Sequence, residues 1–163
     1  MLTVPAAIID TLNGLLEAES NSIFCFVMSG SPYLNQADAD LRRLMEEMHG
    51  VCQQHSNELA KLIESLGGVP RVRNHVPDEE QYLSYLSLKF LLPKLVVEKD
   101  LLLTRFENAR STICREYPTV IEFLARVERE QRHYLDLLKK AADQITRGKF
   151  IPPVHASKME NAE

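Results

Sequence analysis

Glu130-Gln131-Arg132-His133 falls in a stretch whose apolar residues, Phe123, Val127, Tyr134, Leu137 and Ala141, recur at helical spacings of four and three. Glu130 takes its place in that rhythm, so the reading puts a carboxylate, with an imidazole one turn on, in the core stripe of a helix. Burying such a pair is costly unless something neutralises it. The rest of the fold must therefore bring partners to this level, and a metal ion would meet several such groups at once.

The remaining punctuation supports four helices and no strands. A first helix is expected from about Pro5, a good first-turn residue, to about Ser29, ended by Gly30-Ser31-Pro32. Its seam reads Ile8/Ile9, Leu12, Leu15/Leu16, Glu19, Ile23 and Phe26. The second should start after Asn35 and stop at Gly67-Gly68-Val69-Pro70. Its seam is Leu41, Met45, Met48, Cys52, His55, Leu59, Leu62 and Leu66. After Pro77-Asp78-Glu79-Glu80 a third helical pattern runs from Tyr82 to about Arg115, with a kink or break expected at Pro93. Its seam reads Leu95, Glu98, Leu102, Arg105, Ala109 and Thr112. The fourth begins at Pro118 and ends near Arg147. Residues 1–148 thus read as one all-α domain, and 149–163 as a tail containing Pro152-Pro153.

Composition narrows the function classes. A formal net charge of −4 disfavours nucleic acid as the main partner. No apolar run approaches the roughly 20 residues that span a bilayer, and Met1–Pro5 opens no secretory signal, so a cytoplasmic protein is expected. Cys25, Cys52 and Cys114 form no Cys-x-x-Cys and no even framework, which suits a reducing compartment.

The chain repeats itself coarsely. Glu98 precedes Glu130 and His133 by 32 and 35 residues; Glu19 precedes Cys52 and His55 by 33 and 36. Each half is then a helical hairpin, with a Glu on its first helix and an x-x-His pair on its second. Packed together, the hairpins would gather Glu19, Cys52, His55, Glu98, Glu130 and His133 at one level. Carboxylates can bridge two hard ions, imidazoles complete each, and open positions remain for water or dioxygen.

With these residues the chain resembles the ferritin-like di-iron carboxylate superfamily, and bacterioferritins most. Leu12-Asn13, Glu19 and Ile23 are similar to the family's first-helix pattern. His55, Leu59, Leu62, Ile63 and Leu66-Gly67-Gly68-Val69-Pro70 resemble the stretch after its first ligand histidine, while Glu98 and Glu130-x-x-His133 match its third and fourth helices. The resemblance implies a four-helix bundle with a long crossover and iron at a dinuclear site, oxidising ferrous iron or reacting with dioxygen or peroxide. Manganese and zinc are the alternative metals.

The chain also departs from that pattern. Cys52 stands where the family has a bridging Glu, as the internal repeat says independently. Gln53 stands where bacterioferritins carry their haem-binding methionine, so no haem is expected. Phe26 replaces a tyrosine that some members keep near the centre, and the tail does not resemble a fifth helix, which favours a dimer over a cage. Cys52 has two readings, a small buried hydrophobe or a thiolate ligand that would favour one zinc-type ion. A third possibility for the whole chain is a helical interaction module that has lost metal chemistry. Glu46-x-x-His49 is half a turn out of phase and reads as surface or a subunit contact. His75 and His155 fall in link and tail, and Cys25 and Cys114 read as small packing residues.

Overall fold

The computed structural model describes residues 4–22, 24–25, 28, 39–73, 88–113 and 115–147. Four helices are defined in them: α1 Ala6–Ser20, α2 Ala39–Ser65, α3 Leu88–Thr112 and α4 Pro118–Thr146. No strand occurs among the described residues. The Asn35 cap, the Pro77 helix start and the 149–163 tail lie outside them.

α1 ends earlier than its seam suggests. A turn at Asn21 interrupts it, and helical backbone resumes at Phe24 and Cys25. Local side chains explain the break. Ser22 Oγ accepts the Cys25 N–H at 3.2 Å, capping a new helical turn, while Asn21 Nδ2 donates to the Arg73 carbonyl at 2.5 Å. Asn and Ser compete with the helix for backbone partners in this way.

α2 stops where its glycines predict. The Gly67 N–H donates to the Glu64 carbonyl and that of Gly68 to Ile63, both at 2.9 Å, with Gly67 at φ 80°. That is the double-bonded left-handed cap that Gly serves without a steric penalty. Asn13 then pins the departing strap to α1: its Nδ2 donates to the Val69 carbonyl at 3.2 Å, and its Oδ1 accepts the Arg71 N–H at 2.7 Å.

α3 runs through Pro93 without the break allowed for in the sequence. Pro93 faces solvent while Leu91, Leu92 and Leu95 are buried around it, so core packing holds the helix across the lost N–H bond. α4 has Pro118 in its first turn, as expected.

α1 packs on α2 and α3 on α4, and contacts of α1 with α3 and of α2 with α4 close the bundle. The core has two apolar bodies. One contains Leu12, Leu16, Leu59, Ile63, Phe106, Leu124 and Val127; the other contains Phe24, Met45, Met48, Cys52, Leu92, Leu95 and Leu138. On every helix the boundary between them carries a buried polar residue: Glu19, His55, Lys99 and Gln131.

Candidate functional site

That polar layer is the candidate site. Glu19 and His55 are 0% exposed, Gln131 1% and Lys99 4%. Gln131 Nε2 lies 3.0 Å from both Glu19 oxygens, so its amide donates to the carboxylate. His55 Nδ1 sits 3.5 Å from Glu19 Oε1, and its Nε2 is 2.7 Å from Glu130 Oε2. Lys99 Nζ donates to Cys52 Sγ at 3.1 Å. Outward from Glu130 the network continues through Arg126, whose guanidinium pairs with Glu130 at 3.3 Å and also with Glu58.

Charge follows from these contacts. Burial pushes the Glu19 carboxyl up, but the hydrogen bond with His55 and the nearby Lys99 charge outweigh it and hold the group below its ordinary range. Burial works against an imidazolium at His55, yet the Glu19 and Glu130 carboxylates raise its pKa. Lys99 is likewise opposed by burial, and its contact with Cys52 together with the charge of Glu19 raises its pKa. The basic groups of the layer, Lys99 and His55, are thus drawn toward their charged forms by neighbours that the chain itself supplies. No buried side-chain N or O atom among the described residues lacks a hydrogen-bond partner.

Cys52 has a second neighbour. Cys25, on the turn after α1, packs against the same apolar body, and its thiol donates to the Glu19 carbonyl at 3.7 Å. Its interaction with Cys52 lowers the Cys25 thiol to about 7, while the same interaction and deeper burial push the Cys52 thiol up. Cys25 is a packing residue, as its sequence reading had it, on the edge of that apolar body. Both thiols line a cleft of about 510 Å³ together with Ser20, His49, Gln53, Ser56 and Asn57.

Of the six residues expected to converge, Glu19, Cys52 and His55 lie in the core and Glu130 reaches it from the rim. The face assigned to the others needs correction. Glu98 is half-buried, accepts the Phe24 N–H at 3.2 Å and lines a different cleft with Glu17 and Arg105. His133 is exposed, edge-on to Tyr134 at 5.3 Å, and shares an outer cleft with Glu130 and Arg129. Among the described residues, no three His, Cys, Asp or Glu side chains are grouped closely enough to hold a metal ion. Gln53 is exposed on α2 beside His49, and Phe26 lies outside the described residues.

The cause is helical phase. Leu95, Leu102 and Ala109 belong to the α3 core on either reading, and the choice lay in the intervening positions. Glu98, Arg105 and Thr112 form one register; Lys99, Phe106 and Ile113 form the other, which is the buried one. In α4 the buried stripe is Val120, Leu124, Val127, Gln131, Leu135 and Leu138, and Phe123, Tyr134, Leu137 and Ala141 flank it. The signal was present: aliphatic and aromatic residues dominate the true registers. Lys99 and Gln131 were missed because each is the polar exception in its row.

No protein-family model matches the chain, and no curated protein matches it. Solved structures do. A bacterioferritin from Rhodobacter capsulatus, described with a metal-free dinuclear site and haem iron, superposes with a TM-score of 0.70 at 16% identity, covering 99% of this chain and 100% of that one. The Desulfovibrio desulfuricans bacterioferritin, described with its diiron site in different catalytic states, gives a TM-score of 0.68 at 15% identity, over 87% of this chain and 81% of that one. These likenesses establish the fold as that of the bacterioferritin four-helix bundle.

Proposed function

We propose that this chain is a ferritin-like helical module whose polar core is closed by its own charges, and that it serves assembly or partner binding in place of dinuclear iron chemistry. The burial of Lys99 carries this reading. Its ammonium lies in the layer where the resemblance would put metal ions, held by Cys52 and facing the charge of Glu19. Two divalent ions would add four positive charges beside it, against two nearby carboxylates, Glu19 and Glu130. Like charges in so dry a layer repel strongly. Glu98 and His133, needed to complete two ions, line other clefts. A dinuclear centre does not fit this donor set.

Anaerobically purified protein offered ferrous iron, manganese or zinc should retain no stoichiometric metal and melt at an unchanged temperature, because only ligation to the native state stabilises it. Two retained ions per chain, with catalysed ferrous oxidation in air, would return the di-iron reading; one tightly held zinc would return the mononuclear alternative. Lys99→Glu is the informative variant. It removes the ammonium and adds a third carboxylate to the layer that holds Glu19 and Glu130, so it should be less stable alone and regain melting temperature on addition of a divalent ion.

We also read the chain as a cytoplasmic homo-oligomer, most simply a dimer. Phe90, Val97 and Leu101, each about 60% exposed, fall within roughly 40° of one another on α3. That solvent-facing apolar stripe supports self-association. Among the described residues no helix is long and apolar enough to cross a membrane.

A further inference from the structure

Cys25 and Cys52 come from different elements, the turn after α1 and the middle of α2, yet both pack into the same apolar body. Thiols packed as inert filler need no shared opening. These two line one cleft of about 510 Å³, whose other walls, Ser20, His49, Gln53, Ser56 and Asn57, are polar enough to admit a small hydrophilic molecule. Their accessibility is unequal: Cys25 is half-buried and Cys52 is 1% exposed. Behind Cys52, on the side of the polar layer, lies the Lys99 ammonium at 3.1 Å.

We propose that Cys25 and Cys52 are a redox-active dithiol, converted by hydrogen peroxide into an intrachain disulfide that ties the turn after α1 to α2. Cys25, the more accessible sulfur, attacks one peroxide oxygen as its thiolate. The O–O bond breaks, the departing hydroxide takes a proton and leaves as water, and Cys25 becomes a sulfenic acid. Cys52 then gives up its proton and attacks the Cys25 sulfur; the S–O bond breaks and a second water leaves. Two thiols and one peroxide yield one disulfide and two waters, the two electrons passing from the sulfurs to the peroxide. Lys99 holds positive charge at the Cys52 sulfur as it ionises for this second step. A small dithiol reductant reverses the conversion by thiol–disulfide exchange. The proposal does not rest on the metal-free reading: protein that bound iron and still paired these thiols would overturn that reading and leave this one standing.

Peptide mapping of the full chain after one equivalent of hydrogen peroxide tests it. The expected product is a monomeric chain lighter by two hydrogens, with a single linked peptide pair joining Cys25 to Cys52, formed at a rate independent of protein concentration. Dithiothreitol should restore both thiols. Cys52→Ser should accumulate a dimedone-reactive sulfenic acid at Cys25, whereas Cys25→Ser should leave Cys52 reduced over the same interval. Thiols that survive peroxide doses sufficient to oxidise the urea-unfolded chain would overturn the proposal, as would linkage through Cys114 or between chains. Should either variant fail to fold, the wild-type peptide map decides alone.

Discussion

Glu19 and His55 pull the pH dependence of stability in opposite directions, because each gains its partner only in the folded chain. The Glu19 carboxyl is lowered from 4.5, so its contribution is complete above that value and is lost as pH falls through the lower folded one. The His55 pKa is raised from 6.5, so its contribution is complete below that value and is lost as pH rises through the higher folded one. The urea midpoint should therefore be highest between these two reference values and decline on both sides. His55→Gln should flatten the alkaline limb; a variant that keeps that limb would assign it to some other group. Glu19 and His55 were legible in the sequence because both interrupt otherwise apolar seams. Lys99 and Gln131 were not, since an exposed lysine or glutamine is the commoner outcome and nothing local marks the exception.

Among the helices and their ends, two glycines make opposite predictions. Gly67 adopts φ 80° at the cap of α2, where a side chain is disfavoured, so Gly67→Ala should destabilise by about 1–2 kcal/mol. Gly14 lies inside α1 with nothing within 4 Å of an added Cβ, and Gly14→Ala should stabilise by about 0.5–1 kcal/mol. Chemical denaturation of the two variants checks both signs at once. The cap was readable from Gly67-Gly68-Val69-Pro70 because its chemistry is local. The early end of α1 was not, although Asn21 and Ser22 were in view, because Asn21 takes its partner from Arg73, far along the chain.

For the whole molecule the open question is what covers the exposed stripe of α3. In light scattering coupled to gel filtration the protein should elute as a dimer, and Leu101→Glu should shift it to monomer with unchanged helicity. Leu101 faces solvent beside Val97, so the charge does not disturb the folded core. A dimer that survives the substitution would place the interface elsewhere.

Helical periodicity, paired with Pro and Gly punctuation, was enough to determine four helices, two hairpins and the bundle they form, because burying one apolar face per helix leaves few other arrangements. It also marked Glu19, Cys52 and His55 as core residues. The tertiary structure decided which of two adjacent registers on α3 and α4 faces inward, a rotation of about 100° that exchanges Glu98 for Lys99 and Glu130 for Gln131. Glu130-x-x-His133, expected at the centre of a metal site, thereby lies at the rim of the polar layer: Glu130 still reaches His55, and His133 faces solvent. Both registers carry apolar residues, and only the packing of all four helices together makes one of them cheaper to bury.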